Sequence, residues 1–241
     1  MAGLSDRPGV PTRFPSGVTN VGADADMASL PINDPTLFCQ FMKEFDEFAT
    51  GSNGWTATSV GALGGLAVAD AKNGILQVTT SAGDTGAGYF EWAPGETFTL
   101  QSGKALWLKT KFKADSAGDD IVNAAFFVGL HVSDTSPIDA THRMLIISPD
   151  TSGNILLVVD DNLTETSTTI GAVTADTYTE VAVYYDGAST IEVWQDGSKK
   201  ISQEITNLPG AEPLTVGFGI LNGEAEAKVF SIDYIHVLED R

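Results

Sequence analysis

The chain of 241 residues has one cysteine, three histidines and only 13 basic residues against 32 acidic ones. A single thiol excludes an internal disulfide framework. Cys39 stands among Leu37, Phe38 and Phe41 and is expected to pack rather than react. The formal net charge of −19 excludes a surface that tracks phosphates, because nucleic-acid affinity rests on Lys and Arg. His131, His142 and His236 form no i, i+2 or i, i+4 pair, so the spacing assigns no zinc site. No apolar run approaches the ~20 residues of a membrane span. The N-terminus, MAGLSDRPGVP, lacks the apolar core of a secretory signal, which points to synthesis and assembly in a cytoplasm. There is no Gly-x-Ser-x-Gly elbow and no phosphate loop.

What is present is β patterning. Between Tyr178 and Glu204, Val181, Val183 and Tyr185 alternate with Ala182 and Tyr184, and Ile191 and Val193 continue the period of two. Asp186-Gly187 and Asp196-Gly197 mark two reversals, so the stretch reads as three strands and two turns. The same reading gives strands over 55–60, 74–80, 88–93, 96–100, 104–114, 123–132, 143–148, 154–160, 163–169, 214–221 and 228–238. The run NAAFFVGLHV is apolar on both faces, as a central strand is. About a dozen short strands with Gly/Asp/Asn turns and no fixed-period repeat predict one all-β domain, an antiparallel β-sandwich of the jelly-roll type. A chain of this length should bury about 70 % of its unfolded surface, so the core needs no staples.

Residues 1–33 are different. Pro8, Pro11, Pro15 and Pro31 lie among glycines, apolar residues come singly, and no period appears. The segment reads either as a disordered tail or as an extended arm for docking into a groove. As an arm it offers Arg7, Pro8, Val10, Pro11, Arg13, Phe14 and Pro15 as the contact residues. The rest, 34–241, is expected to be one domain that begins with a short helix. Asp34-Pro35 suits the N-cap and first turn, and Leu37, Phe38, Phe41, Met42, Phe45 and Phe48 follow at helical spacing. Such a face must dock, either on its own sheet or, through Phe38, Phe41 and Phe45, on another subunit.

The search for chemistry returns little. Jelly-roll glucanases carry paired carboxylates on one strand, and the nearest match here, Glu44-Phe45-Asp46-Glu47-Phe48-Ala49, lacks the last Glu. It reads as a solvated face. Loop aspartates such as Asp119, Asp120, Asp134, Asp139 and Asp150 are what calcium would use, and also what turns are built from. No metal, cofactor or catalytic residue is assigned. Trp55, Trp92, Trp107 and Trp194 are either packing residues or stacking surfaces for sugars.

Four stretches carry a resemblance: Arg7 to Val21 (RPGVPTRFPSGVTNV), Asp134 to Asp139 (DTSPID), Tyr184 to Gly197 (YYDGASTIEVWQDG), and Leu214 to Ile235, which contains NGEAEAK. Together they resemble a group of tailed-bacteriophage virion proteins in which an extended N-terminal arm precedes a concanavalin-like (laminin-G-type) jelly roll. The resemblance implies a non-enzymatic protein that decorates or cements the capsid, with the major capsid protein as partner and the virion as location. It is expected to self-associate, a trimer being the first guess. The rival readings are a glycan-binding adhesion module and a jelly-roll glycan hydrolase. A pair of carboxylates in one cleft would favour the hydrolase.

Overall fold

Antiparallel strands make up 64 % of the residues that the computed structural model describes, which are 38–48, 54–61, 63–69, 74–83, 86–116, 123–149, 153–162 and 164–241. Fifteen strands follow in order: β1 (Phe38–Glu44), β2 (Trp55–Val60), β3 (Leu63–Ala69), β4 (Ile75–Thr80), β5 (Ala87–Trp92), β6 (Leu106–Ser116), β7 (Ala124–His131), β8 (His142–Ser148), β9 (Asn154–Asp161), β10 (Thr164–Ala172), β11 (Thr179–Tyr185), β12 (Thr190–Gln195), β13 (Ser198–Glu204), β14 (Thr215–Asn222) and β15 (Lys228–Asp240). One sheet has eight strands, in the order β13-β12-β11-β6-β15-β4-β3 with β1 also on β15. The other has seven, in the order β10-β9-β8-β7-β14-β5-β2. The described residues divide into a main unit, Phe41–Glu239, and a small terminal one of Phe38–Gln40 with Asp240–Arg241. Within the latter, Arg241 Nε donates to the Phe38 carbonyl over 3.1 Å.

The two sheets face each other across an aromatic core. Phe112 of β6 and Phe230 of β15 meet Phe126 of β7 at centroid distances of 5.2 and 4.9 Å. A second cluster joins Phe45, Trp55, Phe90 and Phe218, with Phe90 and Phe218 stacked at 5.0 Å. The sandwich and the strand order along the chain match the sequence reading. So does the turn at Asp196-Gly197, where φ values of 49° and 76° put both residues in the left-handed region that a two-residue hairpin needs.

Three readings are corrected. The stretch from Phe38 is not a helix but strand β1 and the turn that follows it. Residues four apart share a face in a helix, and also in a strand, so the spacing of Phe41 and Phe45 fits both. Met42 separates the two cases: a helix would bury it beside Phe41, whereas the strand turns it outward, 46 % exposed. Pairing with β15 overrides the local signal. Glu96–Leu100 forms only an isolated bridge, Phe98 to Leu214, and not a strand. Strand β3, in the Gly/Ala-rich stretch GALGGLAVA, has no counterpart in the sequence reading.

The three phenylalanines offered as a subunit contact are placed accordingly. Phe45 is fully buried and Phe41 is 9 % exposed, Phe41 against Trp55 and Trp92, Phe45 against Trp55 and Phe218. They are core residues of their own chain, which removes them from a partner-facing surface; Phe38 is half-buried. The seven arm residues, Arg7 to Pro15, lie outside the described residues.

Candidate functional site

Directly opposed residues in an antiparallel sheet share a face, so the register of the seven-stranded sheet fixes what its outer face carries. One row runs Thr56, Glu91, Gly217, Gly129, Leu145 across β2, β5, β14, β7 and β8. The next runs Thr215, His131, Arg143, Asp160, Glu165 across β14, β7, β8, β9 and β10. Both contain side chains that are normally in water, yet Glu91, His131, Arg143 and Asp160 are all buried.

The segment between β7 and β8 buries them. It folds back over the sheet through a short 3-10 turn, Pro137–Asp139, and seats Ile138 on Ala87, Tyr89, Phe127 and Leu145. Both ends are clamped. At the first, Glu91 accepts from the Ser133 hydroxyl (3.0 Å) and the Asp134 amide (2.8 Å), while Glu96 accepts from the Ser133 amide (2.7 Å). At the second, Arg143 donates to the Ile138 carbonyl and to Glu165 (2.6 Å), with Asp160 3.3 Å away. Charge-assisted bonds of this kind are about twice as strong as neutral ones.

His131 lies beneath the first clamp. Its Nδ1 is 2.7 Å from the Val132 carbonyl, which can only accept, so Nδ1 carries the proton. The Glu91 carboxylate is 3.5 Å from the same nitrogen, and Nε2 has no partner. Burial pushes the His131 pKa down to about 4, against smaller opposing effects of Val132, Asp134 and Glu96. Burial likewise raises the Glu91 pKa above the usual carboxylate range, although its hydrogen bonds to Asp134 and Ser133 pull the other way.

Beside the clamp a cleft of about 340 Å³ opens, lined by Thr56, Glu91, Trp92, Ala93, Gly95, Glu96, Ser133 and Thr215. Its lining has hydroxyls and two carboxylates but no cation. Such a set accepts hydrogen bonds from a neutral, hydroxyl-rich ligand and repels an anion. The two carboxylates meet at Ser133, which bonds to both. Sequence reasoning did not select either glutamate. The available signal was a lone charge in the otherwise apolar run AGYFEW, whose strand is buried on both faces.

The other sequence candidates fall as follows. Trp55 is core, 1 % exposed, and Trp92 packs on it at 5.5 Å. Trp107 and Trp194 lie on the outer face of the eight-stranded sheet, stacked on each other at 5.4 Å, with Tyr184 at 4.7 Å from Trp107 and Lys199 Nζ 5.6 Å from the Trp194 ring. Their rings pack across strands. Asp134 caps its own turn by accepting from the Ser136 amide at 2.9 Å. Among the described residues, no three His, Cys, Asp or Glu side chains stand together to hold a metal ion; Asp119, Asp120 and Asp150 lie outside them.

This arrangement of two antiparallel sheets has close parallels among solved structures. The endo-1,3-beta-glucanase from Streptomyces sioyaensis superposes with a TM-score of 0.60 at 14% identity, over 88% of this chain and 99% of that one. Peanut lectin gives a TM-score of 0.54 at 14% identity, over 84% and 97%. A carbohydrate esterase from the Shiga toxin-encoding bacteriophage phi24B gives 0.52 at 16% identity, over 83% and 96%. The fold is the concanavalin-like jelly roll. At these identities the likeness extends to the fold alone. No family model and no curated relative matches the sequence.

Proposed function

We propose that the protein is a glycan-binding jelly roll that serves as an adhesion module on a tailed-bacteriophage particle, without hydrolase activity. The observation that carries the binding part is the cation-free cleft at Thr56, Glu91, Glu96, Ser133 and Thr215. Sugar hydroxyls donate to carboxylates and to threonine oxygens, and a neutral oligosaccharide meets no charge penalty there. The clamp holds the cleft in one shape before any ligand arrives, which lowers the ordering cost of binding. The fold supports the same reading, since peanut lectin and the carbohydrate esterase of phi24B share it.

The same cleft contains two carboxylates, Glu91 and Glu96, and both are engaged by the loop. Both oxygens of Glu91 accept from Ser133 and Asp134, and Glu96 accepts from the Ser133 amide. A Glu91 whose two oxygens both anchor the loop is poorly placed to donate a proton or attack an anomeric carbon. The test is a glycan array followed by calorimetry. Neutral oligosaccharides should bind, and Thr56→Val should abolish binding without lowering the melting temperature. An array with no hit overturns the reading. Release of reducing ends, lost in Glu96→Gln, overturns its non-catalytic part.

A second reading, capsid decoration, is favoured by the arm sequence from Arg7 to Val21 and its resemblance to virion proteins. In it the arm grips the major capsid protein and the jelly roll faces outward. The two readings are compatible, since an adhesion module has to be held on its particle.

A further inference from the structure

Lys228 opens β15 at 1 % exposure, and among the described residues no other lysine is buried. Phe230, two residues on, stacks on Phe126 of the opposite sheet, so strand alternation turns Lys228 into the space between the sheets as well. Its backbone is fixed by Thr80, whose hydroxyl accepts from the Lys228 amide at 2.9 Å. An ammonium taken out of water needs an opposite charge beside it. That charge is Glu224, whose Oε1 is in contact with Lys228 Nζ.

The other oxygen of the same carboxylate has a different partner. Glu224 Oε2 accepts from Asn123 Nδ2 over 3.1 Å. Asn123 directly precedes β7, with φ 66°, a left-handed conformation that asparagine tolerates. Backbone bonds hold the group together. The Gly223 amide donates to the Asn123 carbonyl at 2.8 Å, and the Glu224 amide to Asn222 Oδ1 at 3.3 Å. One carboxylate thus holds a buried amine and a carboxamide side by side. The amine belongs to the eight-stranded sheet, and the carboxamide to the segment that enters the seven-stranded one.

We infer that Lys228 and Asn123 join covalently, through an amide bond between Nζ and Cγ that Glu224 promotes. The Lys228 ammonium gives a proton to Glu224, and the free amine attacks Cγ of Asn123. A C–N bond forms, the bond from Cγ to Nδ2 breaks, and the nitrogen leaves with the proton that Glu224 returns. One ammonium and one carboxamide become one secondary amide and one ammonium ion, with no oxidant and no cofactor. Holding both groups on one carboxylate supplies the proximity that such a step needs. The product is a staple across the sandwich, in a chain whose single cysteine allows no internal disulfide. It closes a loop from 123 to 228 and constrains the unfolded chain as a disulfide would.

The test is mass spectrometry of the full chain, denatured after incubation at neutral pH. The wild type should weigh one ammonia less than its sequence. A tryptic digest should give one branched peptide, the fragment ending at Arg143 joined to the one ending at Arg241, with no cleavage at Lys228. Lys228→Met and Asn123→Ala should keep their full masses. Glu224→Gln, which retains hydrogen-bonding groups toward both partners, should fold, as judged by far-UV dichroism, and stay unlinked. A wild type of full sequence mass overturns the inference and leaves a buried ion pair in its place. A branch at any other residue overturns the assignment to Asn123, and a Glu224→Gln variant linked as fully as the wild type overturns the role of Glu224.

Discussion

Nε2 of His131 occupies the space that a side chain at Gly217 would need: a β-carbon built there would lie 2.0 Å from it. The ring is fully buried and its Nδ1 is tied to Val132, so it cannot swing away. Gly217 is therefore a glycine for clearance. Gly217→Ala should destabilise the protein by about 1–3 kcal/mol through overpacking. His131→Ala in the same chain should recover part of that loss, measured by urea denaturation. Equal stability of Gly217→Ala and the wild type would mean that the ring does not rest on this glycine.

The same histidine makes stability depend on pH. Its pKa is about 4 in the fold against 6.5 in the unfolded chain, so between those values the unfolded state binds more protons. Its contribution is present above pH 6.5 and is lost as pH falls toward 4, by about 3 kcal/mol. Glu91, raised by burial, works in the opposite sense, adding stability as pH falls through its folded pKa. The effect of His131 is isolated by comparison with His131→Gln. The stability difference between the two proteins should shift by about 3 kcal/mol from pH 7 to pH 4 in favour of the variant. A difference that is flat with pH would contradict the neutral, buried ring.

Asn222 holds together the NGEAEAK turn. Its Nδ2 lies 3.0 Å from the Ser81 carbonyl, 3.0 Å from that of Gly83 and 2.6 Å from that of Glu226. Its Oδ1 accepts from the Glu224 amide at 3.3 Å. Asn222→Ala should cost about 1–3 kcal/mol, since three part-buried carbonyls lose their donor. Asn222→Asp should cost more, because a carboxylate would then face three carbonyl oxygens. Chemical denaturation of the two variants gives the order, and an Asp variant as stable as the wild type would refute it.

Glu91→Ala removes the acceptor for the Ser133 hydroxyl and the Asp134 amide. The expected result is a loop that opens while the sandwich stays folded, because Arg143 still holds Ile138 at the far end. Proteolysis at residues 133–136 should accelerate at least tenfold, with far-UV dichroism unchanged. Unaltered cleavage would show that the apolar seat of Ile138 alone fixes the loop.

The arm gives the last prediction. Deleting residues 1–30 should leave a folded sandwich of nearly unchanged melting temperature that no longer co-sediments with undecorated capsids. Ordering fifteen residues of a fully free chain would cost on the order of 15–30 kcal/mol, and prolines such as Pro8, Pro11 and Pro15 lower such a cost by restricting the unbound chain. Phe14→Ala with Arg13→Ala should weaken association more than either alone. Wild-type decoration by the truncated protein would assign capsid binding to the jelly roll.

The sequence by itself determined most of the strands. A period of two and paired turn residues are local properties, so Val181, Val183 and Tyr185 announce β11, and Asp196-Gly197 announces the hairpin of β12 and β13, without reference to the rest of the chain. It determined the fold class for the same reason. Tertiary structure decided which face and which edge each strand presents. The four-residue spacing of Phe41 and Phe45 is common to helix and strand, and pairing with β15 made Phe38–Glu44 a strand, with Phe45 in the turn after it. Glu91, Glu96 and Ser133 are scattered along the chain, and the register of β5, β14 and β7 brings them to one cleft. Leu66 and Val68 look like ordinary core residues, and the end of the sheet at β3 is what leaves them in water. Local chemistry encodes the alternation; burial depends on neighbours that arrive from elsewhere in the chain.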